Sequence, residues 1–302
     1  MKRFSILFAL LFLACVNLRA VNPAATLAPD PLRDLARLRR DSNPARLQAL
    51  QEILRERGIP FELQAFESQR SPLGRIEGTN VILTFGSGPR EITVGAHYDA
   101  LERKEGGLID GMVDNGAGVM ALLEVAEALK GKPLRHRVRI VLFDKEEVDL
   151  GGSKAYVAAH KGEIAAAVNL DIAGFGDTGV FGLGKTDGDA RLRESLQAVC
   201  ATQALSCLEL PVFPNGDDRS FQAAGLPALS IGFLPRIEAH QLWLFLNGGK
   251  DSGLREGYMP PILRIIHTPE DSLDKIDRET PRLAARVVLE MVLRLDGGLP
   301  PG

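Results

Sequence analysis

Acidic and imidazole side chains follow three apolar runs of the sequence, close to the point where each run ends. The runs cover residues 92–96, 138–143 and 166–172 and are typical of buried strands. The polar residues at their ends are His97 and Asp99, then Glu146 and Glu147, then Asp171. In open α/β sheets, ligands bind at the carboxyl ends of the strands. Zinc accepts imidazole nitrogen and carboxylate oxygen, and two adjacent acids at the end of a buried strand would be costly without a cation between them. These residues therefore predict a metal site.

Two further polar clusters lie outside these strand ends. Residues 111–118 read Gly-Met-Val-Asp-Asn-Gly-Ala-Gly and open a predicted helix, while residues 266–271 read Ile-His-Thr-Pro-Glu-Asp. Taken alone, Asp114 would fit the N-cap of that helix, and His267 would fit a turn beside Thr-Pro. Their order relative to the strand ends favours a shared site instead.

Five motifs follow one another along the chain. They are His-x-Asp at 97–99, Asp-Asn-Gly-x-Gly at 114–118, Glu-Glu at 146–147, Asn-x-Asp at 169–171 and His-Thr-x-x-Asp at 267–271. This ordered set resembles the zinc aminopeptidase and glutaminyl cyclase superfamily of cocatalytic metallopeptidases, in its bacterial secreted aminopeptidase branch. The resemblance extends over roughly residues 81–276. Each motif is weak by itself, whereas all of them in this order are highly specific.

The resemblance implies two zinc ions per chain and assigns a role to each matching residue. The implied ligands are His97 and Asp171 for one zinc, Glu147 and His267 for the other, and Asp114 as the bridge between them. Glu146 would be the general base that takes a proton from a metal-bridged water. Asp99 would accept the remaining N–H of the His97 imidazole.

The implied activity is zinc-dependent hydrolysis of the N-terminal peptide bond of peptide substrates. The alternative on the same scaffold is a glutaminyl-peptide cyclotransferase, which cyclises N-terminal glutamine at a single zinc. Zinc stoichiometry distinguishes these two reactions. A metal-free binding protein is a third interpretation, and the complete set of ligand residues disfavours it.

Two stretches depart from the family pattern. Residues 216–221 place Arg219 where the family often has histidine, and the preceding pair Asp217-Asp218 is similar to the acidic pair of glutaminyl cyclases. The same pair would also fit the N-cap of a short helix. Ile266 replaces a tyrosine that some secreted relatives place before the last histidine, so either the metals alone stabilise the oxyanion or another donor, with Tyr258 as the candidate, does so. The candidate substrate-binding residues are therefore Asp218, Arg219 and Tyr258, while His240 and Trp243 would line the pocket or, for Trp243, pack in the core.

The remaining sequence alternates between strand and helix patterns. Besides the runs above, strands are predicted at 61–66, 80–85, 208–213 and 228–233, and helices at 33–57 (two, broken near 42–44), 116–130, 153–160, 190–202 and 281–295. Residues 235–261 are expected to form a long, partly helical excursion. Several strands are apolar throughout, which predicts a sheet buried on both faces. The expected fold is a single α/β domain with a mixed, mostly parallel central sheet, helices on both faces and a zinc exopeptidase-like metal site at the carboxyl ends of the strands.

The N-terminal residues read as a targeting segment. Residues 1–20 have a basic start and an apolar run too short to span a membrane, which predicts a signal peptide; 21–31 is a linker and 32–302 the zinc peptidase domain. Residues 12–15 resemble a lipobox, in which Cys15 would carry a lipid anchor. The protein is expected in the periplasm or secreted; the alternative is a lipoprotein anchored to the membrane through Cys15.

Export changes the interpretation of the remaining cysteines, Cys200 and Cys207. In an oxidising compartment a disulfide between them is plausible, and two buried thiols are the alternative. His136 and His160 are expected at the surface rather than as ligands. The net charge of -3, without a basic stripe, makes nucleic acid a poor partner.

Overall fold

The computed structural model describes residues 31–71, 74–249 and 257–300, and a sheet of eight strands lies at its centre. The strands are β1 (Glu62–Ser71), β2 (Gly74–Phe85), β3 (Glu91–His97), β4 (Arg137–Phe143), β5 (Ile164–Leu170), β6 (Thr178–Leu183), β7 (Ser206–Glu209) and β8 (Ala228–Leu234). Their order across the sheet is β1-β2-β4-β3-β5-β8-β6-β7. The four central strands β4, β3, β5 and β8 are parallel, while β1, β2 and β6 run antiparallel to their inner neighbours. The predicted mixed, mostly parallel sheet is confirmed.

Helices cover both faces of this sheet. They are α1 (Pro31–Ala36), α2 (Asn43–Glu56), α3 (Ala117–Leu129), α4 (Gly151–His160), α5 (Asp189–Thr202), α6 (Asp218–Ala223), α7 (Arg236–Asn247), α8 (Pro261–Ile265) and α9 (Glu279–Gly298). Alternate side chains of β4 enter different hydrophobic clusters, because successive residues of a strand point to opposite faces. Ile140 and Leu142 pack in a large cluster with α2, α3 and α9, whereas Val141 and Phe143 pack in a smaller one with α4 and α6.

The parallel strands place the predicted metal-site residues at one edge. β3, β4 and β5 are neighbours and run in the same direction, so the residues after them come out together. The turn at Met112–Gly116 leads into α3, which packs against β3 and α9. The buried helix α3 and the buried strands β3, β4 and β5 therefore fix the positions of the site residues.

The structure differs from the sequence prediction at several places, and β1 and β2 are longer than the predicted strands at 61–66 and 80–85. β6 was not predicted, because Gly179 and Gly182 interrupt its apolar pattern. β7 begins at Ser206 and ends at Glu209, instead of spanning 208–213. The surface position expected for His136 is wrong: its side chain is buried, and its Nδ1 lies 3.1 Å from Asp296 Oδ1.

The signal peptide, the lipobox at Cys15 and almost all of the linker lie outside the described residues. Pro31, the last residue of the predicted linker, is the first residue of α1. Within the described ranges no helix is both long enough and apolar enough to cross a membrane. Cys200 at the end of α5 and Cys207 in β7 form a disulfide.

Candidate metal centre

Three side chains from separate segments face one another at the carboxyl edge of β3 and β5. His97 is the last residue of β3, Asp171 follows β5, and Asp114 lies in the turn before α3. The Nε2 atom of His97 lies 3.0 Å from Asp114 Oδ1 and 3.7 Å from Asp171 Oδ1. We call these three residues the inner triad. Their candidate ligand atoms all lie within 4.8 Å of one another, which is the spacing of groups around one metal ion.

A second group of three, the outer triad, shares Asp114 with the first. His267 Nε2 lies 3.2 Å from Asp114 Oδ2 and 3.1 Å from Glu147 Oε2. These ligand atoms also fall within 4.8 Å of one another. The side chain of His267 is 51% exposed, whereas that of His97 is 2% exposed. The two triads therefore stand side by side, one inside the fold and one at its surface.

Asp114 presents one carboxylate oxygen to each triad. Its Oδ1 faces His97 and its Oδ2 faces His267. The main chain of this turn is held by Asp271, whose carboxylate accepts hydrogen bonds from Val113 N at 2.6 Å and Asp114 N at 3.1 Å. A carboxylate fixed with its two oxygens directed at two imidazoles has the geometry of a bridging ligand.

Asp99 connects the inner triad to the two glutamates. Its carboxylate oxygen lies 3.5 Å from Nδ1 of His97, on the side of the ring away from Asp114. The same carboxylate accepts hydrogen bonds from Glu146 N at 3.1 Å and Glu147 N at 3.3 Å. Asp99 is fully buried, so it fixes the imidazole and the glutamate pair relative to each other.

Carboxylates set the protonation of both imidazoles. Burial opposes a charge on His97, but Glu146 and Asp114 outweigh it and raise the pKa of His97 well above its usual value. Hydrogen bonds with Asp114 and Glu147 raise the pKa of His267 to about 10. Burial of Asp114 is outweighed in turn by its two imidazole neighbours, which hold the pKa of this carboxyl below its usual range. Without a metal, imidazolium charges balance part of the acidic cluster.

Glu146 lies in the most acidic part of the site. Burial raises the pKa of Glu146 well above its ordinary value, and the carboxylates of Asp217, Asp171 and Asp114 raise it further while His97 opposes them. The position therefore favours a carboxyl group that can take up and hold a proton.

The residues of both triads fit zinc. Asp171 Oδ1 is buried and accepts no hydrogen bond from the described residues; the Nε2 atom of His97 lies 3.7 Å away. A buried carboxylate oxygen without a donor is costly unless a cation is bound next to it. The donor set, made only of imidazole nitrogen and carboxylate oxygen, matches the ligands that zinc accepts.

Two openings meet at Glu146 and His267. The first is a cavity of about 200 Å³ whose walls are largely apolar; they include Ile172, Val180, Phe213, Leu234, Leu242 and Ile266. The second is a wider groove of about 710 Å³, lined by Glu146, Glu147, His267, Arg219 and Gln222 among others. A substrate bound across Glu146 would extend into both.

The predicted substrate-binding residues have different positions. Burial raises the pKa of Asp218 to about 7, and the other residue of the acidic pair, Asp217, is shifted to about 7 for the same reason. Asp217 stands at the N-cap of α6, yet its side chain makes no capping hydrogen bond. Arg219 lines the groove and donates to the carbonyl of Phe213 at 2.9 Å, so it supports the cavity wall.

Tyr258, Trp243 and His240 line neither of the two openings. The hydroxyl of Tyr258 donates to Gln241 Oε1 at 2.6 Å, and Tyr258 lines neither the cavity nor the groove. Trp243 packs against the large hydrophobic cluster and donates to the carbonyl of Glu209, as its core interpretation predicts. His240 is exposed on α7. Ile266 lines the cavity.

The sequence motifs did not indicate which residues hold the main chain next to the metal-ligating side chains, namely Asp271 and Arg46. Asp271 ends the His-Thr-x-x-Asp motif, which by itself indicates no role for it, and Arg46 lies outside all five motifs. A signal for Arg46 existed, since Arg46, Ala49, Leu50 and Ile53 have the spacing of one helix face and the last three are apolar. A charged residue on such a face predicts a buried partner.

The fold and the site define a zinc exopeptidase-like protein, with an α/β sheet that carries metal-ligating residues at its carboxyl edge. A model of Peptidase family M28 matches residues 80–292, and the chain belongs to this family. The curated relatives that the chain matches include proteins named aminopeptidases.

Similar proteins include both aminopeptidases and cyclases. Aminopeptidase YwaD of Bacillus subtilis (strain 168) is 26% identical over 253 residues, which cover 80% of this chain and 48% of that protein. The chain thus spans about half the length of this curated relative. An Acidobacteriales bacterium glutaminyl cyclase structure has a TM-score of 0.65 and 20% identity, covering 89% of this chain and 92% of that one. BSAP, a zinc aminopeptidase from Bacillus subtilis, has a TM-score of 0.55 and 23% identity, covering 72% and 51%. Both structures support the fold.

Proposed function

We propose that this chain is a two-zinc aminopeptidase that hydrolyses the N-terminal peptide bond of peptides. The observation that carries the proposal is the pair of triads joined at Asp114, whose two oxygens face the imidazoles of His97 and His267. His97 and Asp171 would hold one zinc and Glu147 and His267 the other. The bound ions would polarise the scissile carbonyl and lower the pKa of a water molecule.

Glu146 would move the proton in this reaction. It stands where the cavity and the groove meet, and burial raises its pKa, so its carboxylate would readily accept a proton from the attacking water. The same carboxyl would then donate that proton to the leaving amine. Asp99 would hold the His97 imidazole in a fixed position relative to Glu146 and Glu147, because its carboxylate contacts His97 Nδ1 and the main-chain N–H groups of both glutamates.

The cavity would take the N-terminal side chain of the substrate. Its walls are largely apolar, so apolar N-terminal residues would bury most surface there. The rest of the peptide would leave through the groove, past Arg219.

One observation favours the cyclase as a second candidate. Asp217 and Asp218 are buried, and a pKa of about 7 allows either to exchange a proton near neutral pH. The hydrolytic scheme gives them no step, whereas cyclisation of N-terminal glutamine needs proton transfer and no water. In that case one zinc per chain would suffice.

Metal analysis and a substrate panel on purified protein separate these candidates. We expect about two zincs per chain, and release of the N-terminal residue from apolar amino-acyl anilides and dipeptides. One zinc per chain, cyclisation of glutaminyl peptides with release of ammonia, and no release of the N-terminal residue from the anilides and dipeptides would together replace the aminopeptidase by the cyclase.

The substitution Glu146→Gln tests the general base. It keeps the size of the side chain but cannot accept the proton, so we expect turnover to fall by about 10²–10⁴-fold with zinc still bound. Glu163→Gln is the matched control, because Glu163 pairs with Arg137 beside the opposite ends of β4 and β5 and should leave turnover unchanged. A Glu146→Gln variant as active as the wild type would contradict the assignment.

We also propose that the protein works outside the cytoplasm. The predicted signal peptide and the disulfide between Cys200 and Cys207 both suit an oxidising compartment. Fractionation of producing cells, with and without Cys15→Ala, would separate a periplasmic or secreted form from a lipid-anchored one.

A further inference from the structure

Arg46 is a buried arginine in the first turn of α2. Its exposed fraction is 0%, and its neighbours on the same helix face are apolar core residues. Its guanidinium donates to main-chain carbonyls instead of a carboxylate: Nε to Tyr98 O at 2.7 Å, Nη1 to Asp110 O at 2.5 Å and Nη2 to Gly111 O at 3.3 Å. One side chain thus bonds to two separate segments of backbone.

Both segments carry residues of the metal centre. Tyr98 lies between His97 and Asp99, while Gly111 begins the turn that contains Asp114. The planar guanidinium therefore joins the backbone behind His97 to the backbone behind Asp114. These are the two residues of the inner triad that approach each other to 3.0 Å.

Asn43, the first residue of α2, binds the same region. Its side-chain amide donates to Ala100 O at 3.0 Å, and its carbonyl oxygen accepts from Ala100 N at 2.9 Å. The N-terminal turn of α2 therefore anchors residues 98–100 in two ways, although α2 supplies no ligand itself.

The charge of Arg46 strengthens this contact. Burial lowers the pKa of Arg46 to about 10, while Asp99, Asp271, Asp110 and Glu147 favour the charged form, so the guanidinium remains cationic at neutral pH. A buried cation surrounded by three carbonyl dipoles holds them more strongly than a neutral donor would. It also places a fixed positive charge behind a cluster of carboxylates.

The backbone at Gly111 lies so close to Ala100 and Asp114 that these segments have little room to move relative to each other. Gly111 has φ of +59°, and a Cβ atom there would lie 2.8 Å from Ala100 Cβ and 2.9 Å from Asp114 O. The backbone of the two segments is thus in close contact where Arg46 bridges them. Asp271 binds the Asp114 turn from its other side, and the side chain of Asn115 donates to Leu170 O at 2.7 Å, so Arg46 is the contact that ties this turn to the backbone next to His97.

We propose that Arg46 is a positioning residue for the metal centre, which sets the spacing of His97 and Asp114 by binding the carbonyls of Tyr98, Asp110 and Gly111 with one guanidinium. The inference rests on the proposed metal-dependent function. Arg46 touches neither substrate nor ligand atoms and acts through the backbone. Its loss should weaken metal binding even where the protein remains folded.

Two substitutions separate the effect of the directed guanidinium donors of Arg46 from the effect of its positive charge. Arg46→Lys keeps the charge but replaces three directed donors by a single ammonium group. Arg46→Met keeps much of the apolar stem and removes both charge and donors. Arg57→Met and Arg57→Lys are the matched controls: Arg57 is at the other end of α2, its side chain is 5% exposed, and it pairs with the buried Asp34. Both are arginines with little-exposed side chains, one in the first turn of α2 and one at its C-cap, but of the two Arg46 is the one that binds the ligand segments.

The readouts are zinc affinity, from competition with a chromogenic chelator, and the visible absorption of the Co²⁺-substituted protein. Thermal melts and circular dichroism first establish that each variant is folded at the temperature used. We expect Arg46→Lys and Arg46→Met to weaken zinc binding by about 10–100-fold and to change the cobalt bands, because residues that orient metal ligands have effects of this size. Arg57→Met and Arg57→Lys should melt at lower temperature with unchanged zinc affinity and cobalt bands.

Wild-type zinc affinity and wild-type cobalt bands in a folded Arg46→Lys or Arg46→Met variant would overturn the proposal. An equal loss of zinc affinity in the Arg57 variants would also overturn it, because the effect would then follow general destabilisation. If Arg46→Met does not fold, Arg46→Lys carries the test. A wild-type protein that binds no zinc would instead refute the proposed function, which distinguishes the two failures.

Discussion

The inner and outer triads share Asp114 but are held by different parts of the fold. His97 ends the buried strand β3, and Asp171 directly follows β5, so the sheet fixes both. His267 lies in the segment after the short helix α8, with a positive φ of +59°. The outer triad therefore depends on a connecting segment for its imidazole, whereas the inner triad is part of the sheet edge.

The same contrast appears in solvent exposure. The side chain of His97 is 2% exposed and that of His267 is 51% exposed. Asp114 and Asp171 of the inner triad line the cavity but not the groove, while Glu147 and His267 of the outer triad line the groove. Two sites with similar ligands should thus differ in how quickly they exchange their metal.

The largest effect is expected from Asp114, which belongs to both triads. Asp114→Ala removes a ligand from each site and leaves the imidazoles without their shared partner. We expect zinc content to fall to background and activity to be lost with it. Zinc analysis after gel filtration measures this, and Asp187→Ala, at an exposed aspartate before α5, is the control that should keep its zinc. Retention of one tightly bound zinc in Asp114→Ala would show that one triad binds metal without the bridge.

Single histidine substitutions should separate the two sites. We expect wild-type protein to lose zinc to a chelator in two phases, because the outer site is open and the inner site is buried. His267→Ala should remove the fast phase and His97→Ala the slow one. His240→Ala, at an exposed histidine on α7, should retain both phases. A single phase in the wild type would remove the distinction between inner and outer sites.

The inner site could largely be predicted from the sequence, because apolar strands determine where its residues come out. The runs around 92–96, 138–143 and 166–172 became β3, β4 and β5, and their polar ends met at one edge. The place of Asp114 in both triads, including its contact with His267, came instead from family resemblance. No local pattern relates a turn before one helix to a turn after another.

Partners distant in sequence explain what was missed. Arg135-His136-Arg137 resembles a solvated charge run, yet His136 is buried because Asp296 accepts its main-chain N–H at 2.7 Å. β6 lacked an apolar pattern because a Cβ at Gly182 would lie 2.3 Å from Phe213 Cβ, so a close neighbour requires glycine there. Arg46 likewise donates hydrogen bonds to main-chain carbonyls more than fifty positions away in the sequence.

Zinc binding should release a proton from His267 of the outer triad. Measuring this proton would test how the two triads differ. In the metal-free protein, Asp114 and Glu147 raise the pKa of His267 to about 10, above its ordinary 6.5. The resulting stabilisation is fully present below pH 6.5 and is lost as pH rises towards 10. Zinc must displace this proton, so apparent affinity should rise with pH through the neutral range. Calorimetric titration in two buffers of different ionisation enthalpy would measure the protons released. A pH-independent affinity with no proton release would contradict the prediction, and His267→Ala should release fewer protons than the wild type.

The smallest effect on either triad is expected from the disulfide, which lies at the end of α5 and in the edge strand β7. Cys200 and Cys207 close a short loop, so removing the bond with Cys200→Ala/Cys207→Ala should cost about 2–3 kcal/mol of unfolding free energy. Neither cysteine lines the cavity or the groove, so both chelation phases should keep their wild-type rates. Denaturant unfolding measures the first quantity, and the chelation assay measures the second in the same sample. If the double variant lost zinc from one triad faster, the edge of the sheet would be coupled to that triad. The rigidity ascribed to the inner site could then not be assigned to β3 and β5 alone.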